Sequence, residues 1–284
     1  TLEHAELRKL GQKIKMVVSD LDQTLLNSDA TISVENLAAI RAAEEKGIFF
    51  TVCSGRISPM MEVYLRTLNI QGPVITTNGA AIVDGNSGKQ LSRHTIPHEV
   101  AVKILDFARE RDFDYSALTA SVSYFSANSQ RIKRFERYNE IATGSGLHPM
   151  RLERFSGRSY TDIDDDILKL LLYQIPEGET DSVAAFLASI PEIDYTSSDE
   201  GLLDILGAGT NKGAAVAEVR KMLGFEKDEV CVFGDFLNDL AMFEEAGLSV
   251  AVANAHEEVR NKAMYVTDTN DRAGVARALE DLVL

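Results

Sequence analysis

Apolar positions along the chain fall into an alternating rhythm. Residues 16–20 form a short run, apolar until it ends in carboxylates, which is the pattern of a strand covered on both faces. From Ser33 to Lys46 the residues Leu37, Ile40 and Ala43 recur at helical spacing, with Ser33 placed to cap the start and Gly47 to end it. A second strand is expected at 48–53. The next helix is expected to take Ser58 as its cap and Pro59 in its first turn, before Gly72-Pro73 breaks the chain ahead of a strand at 74–77. Strand, helix, strand, helix, strand predicts a parallel sheet with helices on both faces.

The rhythm loosens near Asp84, where Asp84-Gly85 and Ser87-Gly88 supply turn chemistry. An amphipathic helix follows at 98–111, carrying Val100, Ile104, Phe107 and Ala108, then a strand at 122–125 and a basic helix at 131–138. A strand at 168–175 and a helix at 181–190 complete an α+β pattern. The first rhythm then returns, with helices at 212–223, 240–246 and 273–282 and strands at 230–233 and 249–252. The chain is thus read as α/β, with a discontinuous core over residues 1–83 and 195–284 and an inserted α+β domain over 84–194.

Composition narrows what such a protein does. Its 284 residues are enough for two domains, and 45% hydrophobic with 26% charged residues is a soluble composition. No apolar run reaches the roughly 20 residues of a membrane span. A formal net charge of -15 opposes binding to nucleic acid or an anionic membrane, so neither is an expected partner. Cys53 and Cys231 sit in apolar segments and read as buried thiols, which suits a reducing, cytoplasmic setting. The first residues carry Glu3, Glu6, Arg8 and Lys9 without a long apolar stretch, so no export signal is expected there. Residues 1–12 have no expected role beyond an appendage.

Candidate chemistry gathers at the ends of the expected strands. Asp20-Leu21-Asp22-Gln23-Thr24 places two carboxylates at the C-terminal end of the first strand, where open α/β sheets bind ligands. Two adjacent aspartates without a basic neighbour call for a cation such as Mg²⁺, which also suits a phosphate. Asp20 can then attack phosphorus, and Asp22 can protonate the leaving alcohol and later deprotonate water. Ser54 after the second strand offers a hydroxyl to a phosphoryl oxygen; Gly55 allows close backbone approach, and Arg56 supplies charge or anchors the next helix. Lys212, in Gly209-Thr210-Asn211-Lys212-Gly213, opens a helix whose free N–H groups add to its charge. Gly234-Asp235-Phe236-Leu237-Asn238-Asp239 gathers three oxygen-bearing side chains in the manner of a hard-cation site.

These segments, Asp20-Leu21-Asp22-Gln23-Thr24-Leu25-Leu26, Ser54-Gly55-Arg56, Lys212 and the loop from Gly234 to Asp239, resemble in order and spacing the four motifs of the haloacid dehalogenase superfamily. Asn78-Gly79-Ala80, the insertion after it and Asn254-Ala255 resemble the Cof-type (class IIB) phosphatases. The resemblance spans nearly the whole chain. It implies a Rossmann-like core, a mobile α/β cap of type C2, Mg²⁺ as cofactor and hydrolysis of sugar phosphates or similar metabolites. It makes Asp20 nucleophile and metal ligand, Asp22 acid/base and ligand through its carbonyl, and Asp235 the third protein ligand. Leu21, Ser54, Gly55, Arg56, Lys212 and Asn238 are then expected at the phosphate, with Asp239, Asn78 and Asn254 in support. Gln23 departs from the family pattern, where glycine is common, and altered loop packing is expected there.

The cap should select the substrate. Arg131, Lys133, Arg134, Arg137, Arg151, Arg154 and Arg158 are expected as solvated faces, and the acidic run Asp162, Asp164, Asp165 and Asp166 as a solvated turn. His94, His98, His148 and His256 lack zinc spacing. The expected partner is a small phosphorylated metabolite, and the expected assembly a monomer or homodimer. A phosphomutase of the same superfamily and a non-catalytic sugar-phosphate sensor are the competing readings. A dinucleotide-binding oxidoreductase is set aside because no glycine-rich loop follows the first strand.

Overall fold

The computed structural model describes residues 1–155 and 160–284, so Arg158 lies outside the described residues. In chain order the elements are α1 (His4–Gly11), β1 (Met16–Ser19), α2 (Val34–Glu45), β2 (Phe49–Val52), α3 (Glu62–Leu68), β3 (Pro73–Thr76), β4 (Ala81–Asp84) and β5 (Gln90–Arg93). These are followed by α4 (His98–Glu110), β6 (Asp114–Leu118), β7 (Val122–Phe125), α5 (Ile132–Gly144), β8 (Arg151–Arg154), β9 (Lys169–Tyr173), α6 (Thr180–Ala188), β10 (Ile193–Asp199) and β11 (Leu202–Gly207). The remainder is α7 (Lys212–Leu223), β12 (Val230–Gly234), α8 (Leu240–Glu244), β13 (Leu248–Ala251), α9 (Glu257–Lys262), β14 (Tyr265–Val266) and α10 (Gly274–Ala278).

The chain divides into two compact units. One holds Thr1–Ser54, Leu68–Leu91 and Asn211–Leu284; the other holds Gly55–Thr67 and Ser92–Thr210. The first unit is built on a five-stranded parallel sheet ordered β14-β13-β12-β1-β2. Its central strands β1 and β12 are buried throughout, which is why they read as unbroken apolar runs. Met16, Val18, Val230 and Val232 pack in one core with Val216 and Val219 of α7 and Met242 of α8. Ser33 caps α2 by accepting the Asn36 N–H at 3.0 Å, as its position predicts. The helix from 58 starts differently: Ser58 opens a 3₁₀ turn (Ser58–Met61) whose cap position is Ile57, and the α-helix begins only at Glu62.

The N-terminal segment is not an appendage. Leu7 is buried, and α1 lies so close to the last turn of the chain that a Cβ at Gly11 would clash with the Leu282 carbonyl. Only glycine permits that approach.

The second unit carries a six-stranded mixed sheet ordered β10-β11-β9-β6-β7-β8. One face packs Ala117, Tyr124, Leu170, Leu172 and Ile205 against Ile104, Leu105 and Ala108 of α4 and Val183 and Leu187 of α6. Strands β6, β8, β10 and β11 escape the sequence reading, because Asp, Ser, Arg and Glu interrupt their apolar pattern. Arg131 departs from the expected solvated face. It precedes α5 with a side chain only 11% exposed, 5.4 Å from the Tyr173 ring and 4.0 Å from Asp199. In the acidic turn Asp165 accepts a hydrogen bond from Ser121, and Asp166 pairs with Arg93 at 3.3 Å. Among the described residues no helix is long and apolar enough to cross a membrane.

Candidate active site

Parallel register brings the chemistry to one end of the first sheet. Ser19 of β1 lies beside Phe233 of β12 and Val52 of β2, so Asp20, Asp235 and Ser54 all follow the same edge. The Asp20 N–H donates to the Phe233 carbonyl at 3.0 Å, and Oδ1 of Asp20 accepts the Leu21 N–H at 2.8 Å. Oxygen atoms of Asp20, Asp235 and Asp239 lie within 4.8 Å of one another, and all three residues are buried. Lys212, opening α7, places Nζ 3.1 Å from Asp20 Oδ1 and 2.8 Å from Asp239 Oδ1. Asn211 caps that helix by accepting the Ala214 N–H at 2.8 Å, which fixes where the lysine emerges.

Burial, then Asp239, raises the Asp20 carboxyl well above the ordinary aspartate range, and Lys212 pulls it only partly back. Burial followed by the charge of Asp239 raises Asp235 to about 7. Burial alone would lower the Lys212 ammonium, but Asp20 and Asp239 more than offset it and hold it charged. Three buried carboxylates facing one ammonium call for further positive charge. Such an oxygen-rich set fits a hard divalent cation. Asp239 is already committed: Oδ1 faces Lys212, and Oδ2 accepts the N–H groups of Asp235 at 2.9 Å and Phe236 at 3.3 Å. Asp20 and Asp235 are the carboxylates left to meet a cation. Gly234 is needed because a Cβ there would come within 2.7 Å of the Asp239 carboxylate.

A model of the haloacid dehalogenase-like hydrolases matches residues 17–279 of the chain. The chain belongs to that family. Among characterised relatives, a Bacillus subtilis protein named 5-amino-6-(5-phospho-D-ribitylamino)uracil phosphatase YcsE is 31% identical over 271 residues, covering 95% of this chain and 96% of that protein. The B. subtilis phosphatase YwpJ is 29% identical, over 95% of this chain and 100% of that protein. A solved haloacid dehalogenase-like hydrolase from B. subtilis superposes with a TM-score of 0.83 at 28% identity, covering 95% of this chain and all of the other. One from Bacteroides thetaiotaomicron gives 0.78 at 26%, over 94% and 98%. The Cof-type phosphatase recognised from the motifs is what these matches support, and the fold is consistent with that family's Rossmann-like core plus cap.

The core holds most of the expected site residues of this dehalogenase-like hydrolase. Asp22 is half-buried at the start of a bent segment in which Gln23 takes the left-handed conformation, φ 62°. That backbone is the one glycine adopts at no cost, which accounts for glycine being common at this position. Asn254 steadies the turn: its Nδ2 donates to the Gln23 carbonyl at 2.9 Å, and its Oδ1 accepts the Asn270 N–H at 2.9 Å. Ser54 is fully buried, and its carbonyl accepts the Asn78 N–H at 2.9 Å, with Asn78 itself in a left-handed turn. Asn238 is buried, and its Oδ1 has no hydrogen-bond partner among the described residues.

Gly55 and Arg56 fall in the second unit. Arg56 donates to the Met60 carbonyl at 3.1 Å and lies over the Tyr64 and Tyr138 rings, at 5.1 and 5.7 Å. Those partners anchor the turn that follows. Two contributors carry no role in the sequence reading. Thr24 donates to Asp235 Oδ1 at 2.7 Å, and Asn270 donates to the Leu26 carbonyl at 3.0 Å. Thr24 lies within the first motif, but nothing in the sequence pairs it with a residue 211 positions away.

Proposed function

We propose that this phosphatase hydrolyses small phosphorylated metabolites, sugar phosphates foremost, with Mg²⁺ as cofactor and a phosphoryl group carried in turn on Asp20. The observation that carries this reading is the buried cluster of Asp20, Asp235 and Asp239 around Lys212 at one sheet edge. Asp20, Asp235 and the Asp22 carbonyl would hold Mg²⁺, which when bound supplies charge neutralisation and Lewis-acid polarisation at the phosphoryl oxygens. Asp20 attacks phosphorus, forming the O–P bond as the ester oxygen leaves. Asp22 gives that oxygen its proton, then takes a proton from the water that hydrolyses the acyl phosphate and frees Asp20. Lys212, Ser54 and the N–H groups of Leu21 and Gly55 receive the phosphoryl oxygens, and the Asn238 amide supports them. Asp239 keeps Lys212 charged and the 235–239 loop closed. Asn78 and Asn254 hold the Ser54 and Asp22 turns.

Two features bear on the substrate. The B. subtilis relatives YcsE and YwtE are named for a phosphate carried on a ribityl chain, a sugar-alcohol phosphate, which supports testing that compound as a candidate. The charge of -15 and the motif chemistry suit a small substrate in a cytoplasmic protein and not a polyanion. The test is phosphate release from sugar phosphates, nucleotides, the phosphoribitylamino-uracil and p-nitrophenyl phosphate, with Mg²⁺ or EDTA, for wild type and Asp20→Asn. Metal-dependent release by wild type alone is expected. Isomerised substrate without free phosphate would give a phosphomutase, and binding without turnover a sensor.

A further inference from the structure

A buried ion pair in the cap lies outside the four motifs. Lys169, the first residue of β9, and Asp204 of β11 are 3% and 0% exposed, and their charged atoms are 2.9 Å apart. They share the sheet face opposite the apolar core: Leu171 pairs with Asp204 and Ser116, and Lys169 with Leu118. The Lys169 ammonium also donates to the Gly55 carbonyl at 2.6 Å. Neither carboxylate oxygen of Asp204 has a hydrogen-bond partner among the described residues, so the carboxylate depends on the charge of its lysine. Arg131, the other cation near Asp204, is engaged with Tyr173 and Asp199.

A pair this deeply buried is weak evidence of stabilisation, because desolvating two charges offsets most of their attraction and apolar residues of similar volume often serve as well. What an apolar pair cannot do is hold a carbonyl. The carbonyl held here belongs to the residue bonded to Ser54, and Asp204 lies on the strand that leads, through residues 208–211, into Lys212.

We propose that Lys169, with Asp204 as its counter-ion, is a positioning residue that fixes the Gly55 carbonyl and thereby the backbone presenting the Ser54 hydroxyl and the Gly55 N–H to phosphate. This rests on the phosphatase reading of Ser54. The lysine does not touch substrate in this role. Its loss therefore weakens recognition of the phosphoryl group common to all substrates, whatever the leaving group.

The test compares wild type with Lys169→Met/Asp204→Leu, which removes both charges together and leaves neither buried alone, and with Lys169→Met and Asp204→Leu singly. The double variant is expected to fold, with an unfolding temperature close to wild type, while kcat/KM falls roughly tenfold or more, as small misplacements at a reacting group do. The loss should be equal for p-nitrophenyl phosphate and a sugar phosphate, and inorganic phosphate should bind correspondingly more weakly by calorimetry. In a Ser54→Ala background the same double change should cost far less, because the two act through one group. Full additivity with Ser54→Ala, a loss confined to sugar phosphates, or a folded double variant with unchanged kcat/KM and phosphate affinity would each overturn the assignment. Wild type that neither releases nor binds phosphate would overturn the phosphatase reading and this inference with it.

Discussion

Lys212 Nζ donates to Asp239 Oδ1 at 2.8 Å, and both side chains are buried. The aspartate is tied by its other oxygen to the backbone of the 235–239 loop, so one carboxylate fixes both the loop and the cation that faces Asp20. Lys212→Met should strand these carboxylates. A loss of about 3–5 kcal/mol is expected, since breaking a buried pair leaves an uncompensated charge. Urea unfolding measures it, and a midpoint equal to wild type would sink the claim that this lysine is the internal counter-ion. Turnover should fall by about 10² or more.

Asp235 gives the site a pH dependence. Without added metal it titrates at about 7, against 3.8 for an ordinary aspartate, chiefly because it is buried and beside Asp239. Between those values the folded state keeps a proton that the unfolded chain gives up. The contribution of Asp235 to stability without metal should therefore fall as pH rises from about 4 to about 7 and level off above. On the proposed reading Mg²⁺ displaces that proton, so its apparent affinity should climb with pH to about 7 and then flatten. Calorimetry in buffers of different ionisation enthalpy reads the proton count. The same count at about pH 6 and about pH 8.5 would contradict the assignment.

Thr24 holds Asp235 by a 2.7 Å hydrogen bond that lowers the carboxyl's pKa. Thr24→Val keeps the shape and removes the donor. About 1–3 kcal/mol of stability should be lost, and Asp235 should titrate still higher, visible as a shift of the Mg²⁺-affinity profile toward alkaline pH. An unmoved profile would mean that the hydroxyl does not act on this carboxylate.

Gln23 sits at φ 62°, a conformation that costs an L-residue roughly 1 kcal/mol. Gln23→Gly should remove that strain, partly offset by the freer unfolded chain. Thermal unfolding should show no loss and a gain of up to about 1 kcal/mol, with kcat unchanged. A clear destabilisation would show that the glutamine side chain, and not only its carbonyl held by Asn254, steadies the turn.

The four motifs, the alternating core and the family were legible in the sequence because their signals are local. An apolar run followed by Asp-x-Asp, a Ser-Gly turn and a lysine at a helix start each carry their chemistry within a few residues, and the parallel sheet needs unbroken Val, Ile and Phe to be buried on both faces. Other features depended on partners far along the chain. The bond from Thr24 to Asp235, the closure of α1 on Leu282, the burial of Arg131 and the pairing of Lys169 with Asp204 and Gly55 join residues distant in sequence. In the second unit, strands with one apolar face and one polar, ion-paired face broke the pattern that reveals the core, so only tertiary packing could show that Ser, Asp and Lys there are buried. Sequence set which chemistry was possible at each strand end; folding decided which charges would be buried together, because burial, and not residue type, determines how strongly they act on one another.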